Sequence, residues 1–368
     1  MAYKIFSFFS GSGFLDLGFH NAGFLIQLVN EFSPSFMKAY KYSRKNLGID
    51  KPPYGYLNTD VTEFLDCRRN KLADYIADAR LDGSLIGFIG GPPCPDFSVA
   101  GKQRGRNGDN GKLSQSYTDL IIQQHPDFFL FENVKGLWRT EKHRAFYEEL
   151  KQELSGAGYC LADRLTNALE FGAPQDRDRI LLFGVRCDLF ADGQTDSLEG
   201  LNWTKYARYS MDDIHAIPWP ARSPFIENSE IPIPKGIPAE LTAEHWFRRN
   251  TVTEHPNASD YFIPRAGLIK MKQIDEGDDS KKSYKRLHRW RYSPTVAYGN
   301  NEVHLHPYKA RRLSVAEALS LQTLPKGFSL PPDMSLTDKF KTTGNGVPYL
   351  LANGIARTIK EYLAEKEG

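Results

Sequence analysis

The chain has 368 residues, of which 40% are hydrophobic and 25% are charged, and its formal net charge is +2. This composition is typical of a soluble globular protein, and the length suffices for one large domain and a smaller second one. The small net charge excludes a uniformly basic nucleic-acid-binding protein, so any DNA contact must come from local patches.

No apolar run reaches membrane-spanning length, and no signal peptide precedes the first predicted strand. The four cysteines have no close-paired spacing, which argues against a zinc site. We therefore expect a cytoplasmic protein in a reducing environment, with no metal and no membrane contact.

Strand and helix patterns alternate from Tyr3 to about Val185, which predicts an α/β fold with a doubly wound, mostly parallel sheet. The first strand leads into a turn, Gly11-Ser12-Gly13, ahead of a helix that begins near Leu15. Glycines in such a turn let a ligand approach the backbone. The dinucleotide fingerprint needs a third glycine where this chain has Asp16, so a nicotinamide-dependent dehydrogenase is a poor alternative.

Acidic residues at the ends of the next strands suit an adenosine group. Glu31 follows the second strand, about 20 residues beyond the glycine turn, where a carboxylate accepts ribose hydroxyls. Asp60 fits the end of a third strand, beside an adenine amino group. The rings of Phe9 and Phe32 could stack on adenine or face a sulfonium charge, although aromatic residues at strand ends are more often part of the core.

The apolar run from Leu85 to Ile89 predicts a buried strand, and Pro92, Pro93 and Cys94 follow it. The prolines stiffen a turn that presents the Cys94 thiol at the ligand-facing edge of the sheet. Cys94 is a candidate nucleophile. On this segment alone, a buried cysteine at a strand end is an equally good interpretation.

Glu132 follows the apolar run Phe128 to Phe131, and Arg177 and Arg179 lie two residues apart, so that on extended chain they project from one face. Taken singly, Glu132 is more easily explained as an acid at a helix N-terminus, and the arginines as a surface pair. The order of these segments along the chain, considered together with Cys94, favours a shared site, and the resemblance described next implies the role of each residue.

Six segments, in this order, resemble the motifs of the DNA (cytosine-5)-methyltransferases. They are Phe8 to Gly13, Gly90 to Ser98, Phe131 to Val134, Gln175 to Arg179, Arg312 to Pro325, and Gly344 to Pro348. The resemblance runs from about Ile5 to Ile355 with one unmatched stretch, and the size is that of a stand-alone bacterial or phage-type enzyme.

The resemblance implies methylation of cytosine C5 in double-stranded DNA by S-adenosylmethionine, with the target base flipped out of the helix. Cys94 would add to C6, Glu132 would protonate N3, Arg179 would contact O2, and Arg177 would brace the pocket or a nearby phosphate. The residues implied to bind the cofactor are Phe9, Gly11, Ser12, Gly13, Glu31, Phe32, Asp60, Val61, Pro93, Asn345 and Val347.

The resemblance also implies a restriction-modification role beside a separate endonuclease, and we expect a monomer. A solitary methyltransferase, a tRNA cytosine methyltransferase and a catalytically inactive DNA-binding relative are the alternatives. The chain departs from the usual pattern of the family at three single positions and in residues 108–113, which lack an arginine that is often present there. Phe14 stands where many relatives have glycine, Pro95 where glutamine is common, and Gly346 where serine is frequent.

The motifs divide the chain into a catalytic and cofactor-binding domain (1–187), a target recognition domain (188–292), and a C-terminal segment (293–368) that returns to the first domain. Prolines cluster in the middle region, so we expect short, irregular strands there.

Two basic stretches are predicted to contact DNA. The glycine-rich segment after Cys94 could close over a flipped nucleotide, and its candidates are Ser98, Lys102, Arg104 and Arg106. Residues 281–292 contain no acid, and the candidates there are Lys285, Arg286 and Arg289; the alternative is a solvated run of charge.

Overall fold

The computed structural model describes residues 2–93, 109–189, 198, 200–281, 283–296, 298 and 302–367. Its centre is a seven-stranded sheet with the order β3-β2-β1-β4-β5-β7-β6. The strands are β1 (Tyr3–Phe8), β2 (Leu25–Asn30), β3 (Tyr56–Leu57), β4 (Leu85–Gly90), β5 (Phe128–Val134), β6 (Tyr159–Asn167) and β7 (Asp178–Arg186). Strands β1 to β5 are parallel, whereas β7 is antiparallel to both β5 and β6. The predicted doubly wound, mostly parallel α/β fold is confirmed.

Helices surround the sheet and form the C-terminal part. They are α1 (Phe14–Asn21), α2 (Pro34–Asn46), α3 (Arg69–Ala79), α4 (Asp109–Gln124), α5 (Gly136–Arg139), α6 (Glu141–Gly156), α7 (Met211–Ala216), α8 (Ala243–Arg249), α9 (Leu268–Lys272), α10 (Val315–Leu321), α11 (Leu336–Asn345) and α12 (Tyr349–Glu367).

The sheet is buried on both faces, which explains why its central strands are continuous apolar runs rather than alternating patterns. Helices α3, α4 and α6 cover one face, and α6 buries the predicted stripe of Phe146, Leu150 and Leu154. Helices α1 and α12 cover the other face. They approach closely at Gly18, where an added Cβ would lie 2.5 Å from the Cβ of Ala352.

The region between the sheet and the C-terminal helices is irregular. In the described part of residues 200–296, the β-type pairing is confined to isolated bridges, such as Ser223 with Glu276, rather than the predicted short strands. The proline-rich sequence explains this, because proline cannot donate to a strand ladder. This region joins the sheet domain at Ser293, whose backbone N–H donates to Pro174 O at 2.8 Å.

A disulfide bond links Cys160 in β6 to Cys187 just after β7, with 5.3 Å between the Cα atoms. The antiparallel register, which pairs Cys160 with Val185, brings the two cysteines together. Their sequence separation of 27 residues gave no sign of this pairing, and the bond departs from the expectation of reduced thiols.

In the part of the chain that the structure describes, no helix has the length and apolar character to cross a membrane. The same residues contain no group of three or more His, Cys, Asp or Glu side chains arranged to hold a metal ion.

Candidate active site

The parallel strands β1, β2, β4 and β5 all end at one edge of the sheet, here called the carboxyl edge, and the antiparallel β7 begins there. Ligands of open α/β sheets bind outside this edge. The topology therefore brings together Phe9, Glu31, Glu132 and Arg179, which are far apart in sequence.

Glu132 and Arg179 form a buried ion pair. Glu132 lies within β5, rather than after it as predicted, and Arg179 reaches it diagonally from β7, where its register partner is Val134. The Arg179 Nε atom is 2.6 Å from Glu132 Oε1, and the two side chains are 8% and 11% exposed. The two atoms do not meet in hydrogen-bond geometry, so the guanidinium group acts through its charge, which attracts the carboxyl group at the carboxyl edge.

Glu132 also reaches the segment that leads to Cys94. A Cβ placed on Gly91 would lie 2.6 Å from Glu132 Oε2, so only glycine lets the carboxyl group lie against this backbone. Cys94 lies outside the described residues, but it follows Gly91 by three positions, which limits its Cα to about 11 Å from that of Gly91. Sequence reasoning did not single out Gly91, although its position before two prolines is a signal.

Arg177 is fully buried and binds backbone carbonyl groups rather than facing the carboxyl edge. Its Nη1 donates to Val296 O at 2.9 Å, and its Nη2 donates to Gly344 O at 2.7 Å. Burial, followed by the charge of Arg179, lowers the pKa of Arg177 well below its usual value. The predicted bracing role fits this position, but the alternative contact with a phosphate does not, since Arg177 is only 1% exposed.

Replacing Arg177 by methionine is expected to lower the free energy of unfolding by about 2–5 kcal/mol, because two buried carbonyl groups lose their donors. Urea unfolding of the full chain measures this. Arg222→Met is the matched control, since Arg222 is half exposed and pairs with Asp278 at the surface; its cost is expected to stay below about 1 kcal/mol. Equal costs for the two variants would contradict the bracing role.

The glycine turn and Glu31 form a cradle at the ends of β1 and β2. Glu31 Oε2 accepts from Gly11 N at 2.8 Å, and Glu31 Oε1 accepts from Ser33 N at 2.7 Å. Burial raises the pKa of Glu31, against the effect of these hydrogen bonds. Space is open around Gly11, where an added Cβ would meet no atom within 4 Å.

Aromatic and acidic side chains border this cradle. The ring of Phe32 is 70% exposed. Phe9 has a φ of 52°, an uncommon backbone conformation for a residue other than glycine, and its ring meets Tyr117 edge to face. Asp60 caps the turn at Val61–Phe64 through Oδ1. An exposed ring beside an anchored carboxylate and an open glycine turn fits an adenosine-containing cofactor such as S-adenosylmethionine.

The C-terminal segment closes the cradle from the other side. Ser12 Oγ lies 2.6 Å from Thr342 Oγ1 in α11, which ends at Asn345. Val347 is buried just beyond. Pro93 is exposed where the described backbone before Cys94 ends.

Two of the departures from the family pattern, Phe14 and Gly346, lie in contact with each other in the structure. An added Cβ on Gly346 would lie 2.0 Å from the ring of Phe14, so the phenylalanine fills the space that a serine at position 346 would need. The Phe14 ring also packs edge to face on Phe328 at 5.2 Å.

We expect Gly346→Ser to lower the free energy of unfolding by about 1–3 kcal/mol through overpacking. Adding Phe14→Ala should cost less than the sum of the two single changes, because the smaller residue frees the space. The double-mutant cycle is measured by denaturant unfolding. Gly156→Ser, where an added Cβ meets nothing within 4 Å, is the control. Additive costs in the cycle would contradict the coupling.

The predicted DNA contacts need correction at two positions. Arg286 is fully buried, with its Nε donating to Ile274 O at 2.8 Å and its Nη2 to Met271 O at 2.5 Å, and burial lowers its pKa to about 10. Arg289 is 2% exposed, and its Nη2 pairs with Glu276 at 2.8 Å. Both guanidinium groups hold the irregular region together and are not available to a phosphate.

The remaining residues predicted to contact DNA divide into one that the structure describes and four that it does not. Lys285 is partly exposed and stays a candidate for DNA contact. Ser98, Lys102, Arg104 and Arg106 lie outside the described residues, as does Cys94.

Comparison with known proteins agrees with this geometry. The chain is 55% identical over 360 residues to the Type II methyltransferase M.NmeDI of Neisseria meningitidis serogroup C, covering 98% of this chain and 84% of the relative. It is 31% identical to the Type II methyltransferase M.FnuDI of Fusobacterium nucleatum, over 99% of this chain and 96% of that one. The fold is similar to that of the Entamoeba histolytica methyltransferase EhMeth, with a TM-score of 0.62, 12% identity, and coverage of 100% of this chain and 99% of the other.

The family model of C-5 cytosine-specific DNA methylases matches residues 3–361. It thus spans the sheet, the irregular region and the returning helices. The chain belongs to the C-5 cytosine-specific DNA methylase family.

Proposed function

We propose that this enzyme methylates C5 of cytosine within a specific double-stranded DNA sequence, with Cys94 as nucleophile and Glu132 as acid. The observation that carries the proposal is the Glu132 carboxyl group, which Arg179 holds against Gly91, three residues before Cys94. A nucleophile and a proton donor that reach one small region are what covalent activation of a pyrimidine needs.

The chemistry follows from these groups. The target cytosine leaves the base stack, at a cost of a few kcal/mol that pocket and phosphate contacts offset. The Cys94 thiolate forms a bond to C6 while Glu132 donates a proton to N3, which leaves C5 electron-rich. Arg179 lies beside Glu132, where it can also contact O2 of the base. C5 then forms a bond to the transferred methyl group. Loss of the C5 proton supplies the electrons that restore the C5–C6 double bond, the C6–S bond breaks with its electron pair returning to the Cys94 thiolate, and N3 returns its proton to Glu132.

S-adenosylmethionine, when bound, supplies the electrophilic methyl group. In our proposal Glu31 accepts the ribose hydroxyls, Phe32 covers the adenine ring, and Asp60 faces the adenine amino group. The anchoring of Glu31 by two backbone N–H groups supports this assignment, because it holds the carboxylate in one orientation.

The two relatives named above are both called Type II methyltransferases. We propose by analogy that this enzyme protects DNA beside a separate restriction endonuclease. These relatives favour DNA over the alternative substrate, tRNA.

The test is bisulfite sequencing of DNA from cells that express the protein, which reports both activity and recognition sequence. Purified enzyme is then offered the cognate duplex and bulk tRNA in parallel. Methyl incorporation into the duplex alone is the expected result. Incorporation into tRNA alone, or into neither, would contradict the proposal.

A further inference from the structure

Two acid-free stretches occur in the irregular region. Residues 261–274 contain Arg265, Lys270 and Lys272 and no Asp or Glu, and residues 280–301 contain further lysines and arginines and again no acid. The acidic segment 275–279 separates them, and Arg289 and Lys272 pair with Glu276 and Glu227. Residues 261–301 as a whole still contain nine lysines and arginines against four acids, an excess that favours a local positive potential.

The two stretches meet at Tyr284. Lys270 Nζ lies 4.7 Å from the centroid of the Tyr284 ring, and Arg312 Cζ lies 5.8 Å from it. Tyr284 has a φ of 61°, in the left-handed region that non-glycine residues rarely adopt. Its ring lies within cation–π distance of both Lys270 and Arg312.

Exposed aliphatic side chains occur in the same stretch of chain as Arg265 and Lys270. Ile263 is 77% exposed, Ile269 74% and Leu268 39%, whereas Met271 of the same helix is buried. Aliphatic side chains next to cations match the chemistry of a DNA groove, where thymine methyl groups and base steps offer apolar contacts between two rows of phosphates.

Each of the two stretches is connected to the carboxyl edge of the sheet through a chain of contacts. Phe262 stacks on Phe340 of α11, with 5.4 Å between the ring centroids, and α11 ends at Asn345 beside the cofactor cradle. From the second stretch, Lys285 O accepts from Leu305 N at 2.8 Å. The neighbouring His304 contacts the Ser293 side chain, and Ser293 O accepts from the backbone N–H of Asp176, next to Arg177.

We propose that residues 261–271 together with Tyr284, here called the ridge, form the element that reads the DNA sequence. Ile263 and Ile269 contact base edges in a groove, Arg265 and Lys270 bind flanking phosphates, and Tyr284 positions Lys270. This inference rests on the proposed function and names, for this chain, the residues that determine specificity.

The test compares the full-length enzyme with the variants Ile263→Ala/Ile269→Ala and Lys270→Ala. Leu81→Ala and Lys45→Ala are the controls, because both residues are exposed and lie toward the opposite edge of the sheet. Methylation rates are measured on the cognate duplex and on duplexes with one base pair changed, and DNA affinity is measured over a range of salt concentrations.

The isoleucine variant is expected to lose about tenfold or more in discrimination at one or more base pairs, as for loss of a base contact. Lys270→Ala should lower the slope of log affinity against log salt by about 1 without changing discrimination. If the double variant does not fold, as judged by circular dichroism, each single isoleucine variant takes its place.

Unchanged discrimination in the isoleucine variant would overturn the assignment of the ridge. So would conversion of a wild-type dimer to a monomer by the same changes, since the ridge would then be a contact between two copies of the chain. These outcomes differ from failure of the proposed function itself, in which the wild-type enzyme methylates no duplex.

Discussion

Cys94→Ser is expected to lower the rate of DNA methylation by at least about 10⁴-fold, since loss of a covalent nucleophile leaves only binding and positioning. The serine hydroxyl is a far weaker nucleophile than a thiolate and does not add to C6 at a useful rate. The measurement is transfer of labelled methyl groups to the cognate duplex. Cofactor binding, followed by calorimetry, should stay unchanged.

Cys67→Ser is the matched control, because Cys67 is an exposed free cysteine. It should keep wild-type activity. A duplex with 5-fluorocytosine at the target position provides a second readout, since fluorine cannot leave as a proton does and the adduct with the enzyme accumulates. A denaturation-resistant adduct in the Cys94→Ser variant would falsify the assignment of the nucleophile.

Glu132→Gln is expected to lower kcat by about 10²–10⁴-fold, the usual contribution of a general acid. Glutamine keeps the shape of the side chain and its place beside Gly91, but it has no carboxylic proton to donate to N3. Single-turnover methylation of the cognate duplex measures the chemical step directly. Binding of the cofactor should not change, because Glu31 and Asp60 supply its polar contacts in our proposal.

The control for this change is Glu141→Gln, an exposed residue in the first turn of α6. Arg179 loses its charged partner in the Glu132 variant, so urea unfolding must accompany the kinetics to separate a loss of stability from a loss of chemistry. Wild-type kcat in a folded Glu132→Gln variant would contradict the role of the acid.

The sheet was predictable because its central strands are buried on both faces and appear in the sequence as continuous apolar runs. The carboxyl edge was predictable for a related reason, since parallel strands place their carboxyl ends together. The resemblance to the family grouped Glu132 and Arg179 in one site, but their ion pair across the antiparallel strands β5 and β7 was not predicted. The role of Gly91 depends on a contact between a loop and a neighbouring strand, which periodicity does not report.

The irregular region was less predictable. Arg286 and Arg289 belong to a run of basic residues that resembles a DNA-binding surface, yet both side chains are buried. Arg286 binds backbone carbonyl groups, and Arg289 pairs with Glu276. A list of charges along the chain does not show which side chains point inward when regular strands and helices are absent. The disulfide bond between Cys160 and Cys187 was missed for a similar reason, because it depends on strand register.

The packing of α1 against α12 has a consequence for biosynthesis. The strands and helices of the first 187 residues leave the ribosome early, but one face of their sheet is covered only in part, by α1, until α12, residues 349–367, has been made. Phe19, Ile5 and Phe183 then find their partners in Leu351, Ile355 and Ile359. A nascent chain therefore cannot complete this layer before translation has passed the last helix.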